Sequence, residues 1–271
     1  MTGTDIFKEH TPIEEYSLGG RTIFVKRDDL YGRPPAPPLA KLRGLRRLVD
    51  SLTTEGISVF GCWDTHFSKL GQGLAALCAI TPGLKAIVSY PVSKKRNLPA
   101  AVAEAERLGA TLLPVPSNHI AICYAMAKKR IEARGGYMLP FGLECREAVD
   151  AISDVARTVD EGFYAGGTVV LSCGSGVTLA GLINGLGAQP RKLIAISSGR
   201  SVDAIMACLR RRCLQLPSYL DLRPASLPYA HELKYDCPFA SHPNYDLKAW
   251  QFLENNLAGL PEPILFWNIG A

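Results

Sequence analysis

The sequence predicts an α/β fold, with parallel sheets flanked by helices. Three observations carry that expectation. Between residues 57 and 139, short apolar or β-branched runs alternate with helical stretches, the pattern of strands laid parallel and covered by helices. Residues 168–187, TVVLSCGSGVTLAGLINGLG, read as a buried strand, a glycine turn and a helix. The 271 residues are 47% hydrophobic and 20% charged, which is ordinary globular composition and enough chain for one large core or two smaller ones.

In order, Thr22–Val25 reads as a strand, reached from 14–16 through the Gly19-Gly20 hairpin turn. Prolines in 33–38 form a loop. From Leu39, Leu42, Leu45, Leu48 and Leu52 share one face, so a helix is expected there with Lys41 in its first turn. Periodicity alone reads Lys41 as a solvated lysine. Strands follow at 57–60, 86–89, 111–115 and 137–139, with helices at 67–78, 98–108 and 120–133 between them. A helix at 148–160 leads into the glycine turn. Beyond it come a strand at 193–197, a helix at 201–213, an aperiodic loop at 215–245, a helix at 246–256 and a strand at 264–267.

The glycine turn holds the clearest chemistry. After a strand, Ser172-Cys173-Gly174-Ser175-Gly176 aims free N–H groups and a helix N-terminus at one spot, which favours an anion such as phosphate. Ser175 and Thr178 can add two hydroxyls. The same residues also suit an ordinary, closely packed strand-to-helix turn. Neither a P-loop nor GxGxxG spacing is present. No apolar run reaches the roughly 18 residues of a membrane span, and MTGTDIFKEH lacks signal-peptide character. Eight cysteines without CxxC spacing suggest reduced thiols in a cytoplasmic protein and no metal site. A net charge of +5 permits an anionic partner without requiring one.

Several stretches together resemble the fold-type II pyridoxal-phosphate enzymes, specifically the 1-aminocyclopropane-1-carboxylate deaminase and D-cysteine desulfhydrase family. Thr11-Pro12-Ile13 resembles its TPL, and residues 25–32 (VKRDDLYG) its KRDDLTG. Ala40-Lys41-Leu42-Arg43 falls where the family has NKxR. FGCWDTHFS (60–68) falls on GGxQSNHxR, and SCGSGVTLAGL is similar to SGGTLAGL. HPNYDLKA (242–249) resembles DPVYTGKA, and ILFWNIGA (264–271) sits on VLFIHTGG. The matches keep their order over nearly the whole chain.

The resemblance implies two domains with the cofactor between them, a tryptophan synthase β-like fold. The large domain would be 1–52 plus 143–271, and the small α/β domain 53–142. It implies pyridoxal 5'-phosphate as cofactor, with Lys41 forming the Schiff base. Cys173, Gly174, Ser175, Gly176, Val177 and Thr178 would hold the phosphate. Thr65 would bond the phenolic oxygen. The departures are specific. Asp64-Thr65 replace the family's Ser-Asn, so a carboxylate stands where a neutral hydroxyl is usual, and His66 keeps a position from which it can transfer protons. Asn268-Ile269 replace His-Thr, so either Asn268 or a residue from 231–246 serves the pyridine nitrogen, or that nitrogen stays unpaired and the ring is a weaker electron sink. Lys41, His66 and Asp64 are the catalytic candidates.

Three functional readings follow. The first is a pyridoxal-phosphate enzyme acting at the α-carbon of a small amino-acid-like substrate, by elimination, deamination or decarboxylation. The second is decarboxylation of an amino acid attached to thymine in bacteriophage DNA hypermodification. There Lys94-Lys95-Arg96, Lys128-Lys129-Arg130 or Arg210–Arg212 would meet phosphates; each cluster also suits a solvated face. The third is a non-catalytic cofactor-binding protein. A homodimer is compatible with all three.

Overall fold

The computed structural model describes residues 6–92, 97–116 and 119–271. They divide into two compact units. One comprises residues 6–7, Gly32–Pro37 and Leu45–Leu143; the other comprises Lys8–Tyr31, Pro38–Gly44 and Glu144–Ala271.

The second unit is built on a six-stranded sheet. Strands β1 (Ile13–Leu18) and β2 (Arg21–Arg27) form an antiparallel hairpin. Gly19 and Gly20 both take positive φ, +57° and +78°, which a two-residue hairpin turn of this hand requires. The other strands run parallel to β2: β7 (Thr168–Cys173), β8 (Lys192–Ser197), β9 (Leu220–Pro224) and β10 (Ile264–Asn268). Their order is β1-β2-β10-β7-β8-β9. All residues of β7 and β10 are buried, as unbroken apolar runs in the middle of a parallel sheet should be. Ile23, Val25, Val170, Ile194 and Phe266 pack with Phe239 and Trp250, the latter on helix α8 (Asp246–Asn256). The Phe239 and Phe266 rings meet the Trp250 indole at centroid distances of 4.9 and 5.3 Å, edge to face.

Strand β9 corrects the expectation of an aperiodic loop over 215–245. It pairs with β8 from Leu193↔Leu220 to Ser197↔Pro224. It is an edge strand, none of its residues is buried, and its short LDLRP run ends in proline, so it carries little of a strand's usual pattern.

Helices α5 (Arg146–Arg157), α6 (Val177–Gly185) and α7 (Val202–Arg212) complete this unit. α6 lies very close to α5. A Cβ at Gly181 would come 2.5 Å from Ile152 Cβ, and one at Gly185 would come 2.4 Å from the Ser153 carbonyl oxygen. The small residues of LAGLING therefore set the seat of α6, and with it the glycine turn at its N-terminus.

The first unit carries a parallel sheet of β3 (Val59–Trp63), β4 (Lys85–Val92), β5 (Thr111–Pro116) and β6 (Tyr137–Met138), in the order β5-β4-β3-β6. Helices α2 (Leu70–Ile80), α3 (Ala100–Arg107) and α4 (Ile120–Glu132) belong to it. Ile87, Leu113 and Val115 pack with Cys123, Ala127 and Ile131 of α4. Helix α1 (Leu42–Thr54) begins in the second unit and continues in the first. Among the described residues no helix is long and apolar enough to cross a membrane.

Gly181→Val should be destabilising because the extra methyl groups meet the α5 backbone. Overpacking of this kind costs about 1–3 kcal/mol. Thermal denaturation checks it: a melting temperature unchanged from that of the parent chain would contradict the close α5–α6 seat.

Candidate active site

The site in the second unit is built around the turn that presents Lys41. The helix expected from Leu39 begins at Leu42 instead, and Lys41 sits in the turn just before it. The reason lies in the backbone. Leu39 bridges to Gly270, and Ala40 N–H donates to the Ile269 carbonyl at 2.8 Å. These residues are therefore tied to the end of β10 rather than wound into the helix.

A buried ion pair fixes the other side of the turn. Arg43 Nε donates to Asp28 Oδ1 at 3.0 Å, with Asp28 fully buried and Arg43 nearly so. Asp28 also accepts from Thr11 Oγ1 and from Trp267 Nε1. Arg43 Nη1 reaches the Glu9 carbonyl, and its guanidinium lies over the Tyr31 ring at 4.1 Å. The two acidic residues of KRDD are thus structural, since Asp29 is held by Arg27 through two hydrogen bonds.

Lys41 Nζ donates to Ser175 Oγ at 3.2 Å, so the lysine and the glycine turn meet. Burial pushes the Lys41 ammonium down to about 8. Arg200 adds to that effect, while Cys173 and Cys208 oppose it. An amine held near 8 yields a larger free-base fraction at neutral pH than an ordinary lysine, as a nucleophile toward an aldehyde requires.

The glycine turn has the features of an anion cradle. Cys173 ends β7, and its carbonyl accepts from Ser198 N–H; burial raises its thiol to about 12. Gly174 faces open space on its side-chain side. Gly176 caps α6 at φ +94°, a left-handed conformation that favours glycine, and no side chain caps the helix. The first intrahelical bond is Ala180 N–H to the Gly176 carbonyl, which leaves the N–H groups of the first turn directed outward. Val177 is buried and contributes backbone alone. Thr178 Oγ1 is buried with no hydrogen-bond partner among the described residues. An orphaned hydroxyl beside an uncapped helix N-terminus fits a phosphate.

Two groups lie at the far end of β10. Asn268, a candidate for the pyridine nitrogen, is fully buried. Its Nδ2 donates to the Ala240 carbonyl at 2.9 Å, and its Oδ1 accepts from Ser241 Oγ at 3.0 Å. The side chain thus tethers the 240–241 loop. Asp246, the last residue of the 231–246 interval, is also fully buried. It accepts from Ser172 Oγ and from Gly270 N–H, the latter at 2.8 Å. Burial raises its carboxyl to about 8, against these hydrogen bonds. In the sequence it reads as an acid at a helix start, and nothing local signals its burial.

The remaining candidates lie in the first unit. Asp64 is fully buried, accepting from Ser68 Oγ and Gly71 N–H, each at 2.7 Å. Burial raises it to about 6, against both bonds. A Cβ at Gly71 would come 2.7 Å from Asp64 Oδ2, so glycine is what admits the carboxylate to the first turn of α2. Both oxygens accept within 64–71, so the carboxylate braces the loop that carries Thr65 and His66. Thr65 and His66 are partly exposed on that loop, and the His66 ring meets Phe67 edge to face at 5.1 Å. Among the described residues no group of His, Cys, Asp or Glu side chains could hold a metal.

No family model matches the chain. Solved structures share its fold. An ACC deaminase homologue superposes with a TM-score of 0.81 at 20% identity, over 98% of this chain and 90% of that one. A hydrogen sulfide-producing enzyme from Fusobacterium nucleatum gives 0.72 at 14% identity, over 96% and 93%. An O-ureido-L-serine synthase gives 0.66 at 12%, over 98% and 90%. The architecture is that of the fold-type II pyridoxal-phosphate enzymes. The chain is also 32% identical, over 278 residues, to the glycyl-dTMP PLP-dependent decarboxylase of Pseudomonas phage M6, covering 96% of this chain and 98% of that protein. At that identity and extent it belongs to the same family of pyridoxal-phosphate enzymes. Its cofactor is pyridoxal 5'-phosphate, and it acts at the α-carbon of an amino-acid or amine substrate.

Asp246 makes the apoprotein sensitive to pH. Its folded carboxyl titrates near 8, well above an unfolded aspartate at about 3.9. Between those values the folded state holds a proton that the unfolded chain has lost, so this contribution to stability falls as pH rises. Denaturant unfolding of the apoprotein at pH 5 and pH 8 should show the loss, and Asp246→Asn should flatten it. A parent chain and variant with the same pH slope would refute the buried, protonated carboxyl.

Proposed function

We propose that the chain decarboxylates an amino acid carried on a thymine nucleotide. The observation that carries this reading is the match, over nearly the full length of both chains, to a phage enzyme named for that activity on glycyl-dTMP. The intact pairing of Lys41 with Ser175 and the uncapped turn of α6 support a working catalyst. The Cα–carboxylate bond breaks, carbon dioxide leaves, and one proton is added at Cα, giving a primary amine.

Bound pyridoxal phosphate supplies the electron sink that accepts the pair left at Cα. The chain's own residues do the rest. Lys41 is the amine that carries the cofactor, and its depressed pKa readies it for exchange with a substrate amine. The outward N–H groups of α6, with Ser175 and Thr178, hold the phosphate. Asp246 is the carboxyl assigned to the ring nitrogen, a reading that its burial without a basic partner in its hydrogen bonds supports; a protonated nitrogen would supply the opposite charge that draws its carboxyl toward the ionised form. Asn268 keeps the adjoining loop in place. His66 is the proposed proton donor to Cα, with Thr65 the hydroxyl for the phenolic oxygen; both assignments rest on the motif at 60–68. Asp64 holds their loop. The small domain is assigned to 53–142 and the large domain to the remainder.

A direct test incubates the holoenzyme with a dTMP bearing a glycyl group and follows carbon dioxide release and amine formation by mass spectrometry. One carbon dioxide per amine is expected. Turnover of free amino acids alone would overturn the nucleotide reading. Removing a general acid costs about 10²–10⁴-fold in rate, so His66→Ala should slow turnover by at least the lower figure while retaining cofactor. Lys41→Ala should leave the cofactor removable by dialysis. Gly176→Asp should abolish cofactor retention, because a side chain at φ +94° is strained and its Cβ would press on Cys208 at 3.3 Å and shift the turn, whereas Ser175→Ala should weaken it modestly, since a single hydrogen bond to a charged group is worth about 1.5–3 kcal/mol.

A further inference from the structure

Three arginines gather on Glu144, two at its carboxylate and one at its main-chain carbonyl. Glu144 Oε1 pairs with Arg200 Nη1, and Oε2 pairs with Arg211 Nη2 at 3.3 Å. Arg212 Nη2 donates to the Glu144 carbonyl, while Arg212 Nε is buried with no acceptor among the described residues. Three guanidiniums thus share one glutamate, and the fork of Arg212 keeps a donor that this residue does not meet. The cluster is anchored: Asn184 Nδ2 donates to the Arg212 carbonyl at 3.0 Å, and Ser197 Oγ donates to that of Arg200.

The cluster adjoins the cofactor cradle within the same unit. Arg200 ends the 197–200 segment after β8, in which Ser198 N–H donates to the Cys173 carbonyl. A Cβ on Gly199 would lie 4.0 Å from Gly174 Cα. Ser198 Oγ is a second buried hydroxyl with no partner among the described residues. From Arg200, whose side chain is 24% exposed, the charge runs outward to Arg211 at 59%, with Arg210 also exposed.

We propose that Arg200, Arg211 and Arg212 bind the phosphate of the nucleotide that carries the amino acid. This rests on the nucleotide reading above. Forked guanidiniums match phosphate oxygens in pairs, and a phosphate offers acceptors to the open Arg212 Nε donor and to the exposed Arg211. The leaving carboxylate is a poorer occupant. Its charge disappears as carbon dioxide forms, so a strongly cationic seat would stabilise the ground state and oppose reaction. The outward run of charge also suits a group remote from the reacting carbon. The same phosphate chemistry is offered by a mononucleotide and by single-stranded DNA, and the experiment separates them.

The test is equilibrium binding of thymidine, dTMP and a single-stranded oligo(dT) to the holoenzyme by calorimetry. dTMP should bind at least tenfold tighter than thymidine. Arg211→Glu, a change at an exposed position, should shrink that gap at least fivefold, and Arg211→Lys should largely retain it. The logarithmic salt slope for oligo(dT) scales with phosphates contacted, at about 0.7 per phosphate for single strands. A slope no steeper than that for dTMP identifies a mononucleotide site, and a slope several times steeper identifies DNA. Equal affinity for thymidine and dTMP, or a gap unmoved by Arg211→Glu, would overturn the arginine site. Glycyl-dTMP turnover is measured separately on the parent enzyme, so a failure of the decarboxylase reading is distinguishable from a failure of this one.

Discussion

The buried pair between Arg43 and Asp28 is the constraint on which the site depends. Asp28 lies just after β2, Arg43 opens α1, and Thr11 and Trp267 bring two more segments to the same carboxylate. Removing one partner from such a pair leaves an uncompensated buried charge, at a cost of about 3–5 kcal/mol. The consequence reaches past stability. Arg43 stands two residues after Lys41, so the pair fixes one flank of the lysine's turn. Ala40, bonded to the Ile269 carbonyl, fixes the other. Lys41 is therefore held by backbone and by charge before any cofactor chemistry begins.

A second chain of contacts reaches the same place from the opposite side. Gly181 and Gly185 let α6 approach α5, and that approach sets where the first turn of α6 points. Ser175, at the mouth of the turn, then accepts from Lys41. Meanwhile Gly270, bridged to Leu39, donates its N–H to Asp246. The end of β10 is thus the common support for Lys41 and for the buried carboxyl. Displacing it would move both ends of the proposed cofactor site together, which ties electronic and covalent anchoring to one strand.

Much of this was legible in the sequence, for identifiable reasons. The βα alternation and the buried runs of β7, β8 and β10 gave strands of the expected kind, because apolar runs between glycine or proline signals are direct consequences of burial. The Lys41 turn was less legible. Leucine spacing continues back to Leu39, and periodicity cannot show that the Leu39–Ala40 backbone bonds to a strand more than 200 residues away. Strand β9 was missed because an exposed edge carries little pattern. Charged residues were hardest. Asp28, Asp64 and Asp246 look alike on the page. Yet one is ion-paired, one accepts within its own loop, and one is buried without a basic partner in its hydrogen bonds. The basic run Lys94-Lys95-Arg96 falls outside the described residues.

The distribution of charge separates two tasks that an enzyme of this kind must reconcile. Loss of a carboxylate is favoured where negative charge is not stabilised before reaction, whereas a nucleotide is retained by strong stabilisation of its phosphate. Asp246 and Lys41 are both held near 8 by burial, so in the apoprotein at neutral pH the carboxyl is mostly neutral and the lysine mostly charged. Arg200, Arg211 and Arg212 gather on Glu144, and the cluster becomes more exposed from Arg200 to Arg211. A second basic run, Lys128-Lys129-Arg130, lies on α4 in the other unit. Lys128 pairs with Glu132, and Arg130 donates to the Pro114 carbonyl. The arginine cluster lies at the edge of the cradle, where it can hold a remote phosphate apart from the departing carboxylate.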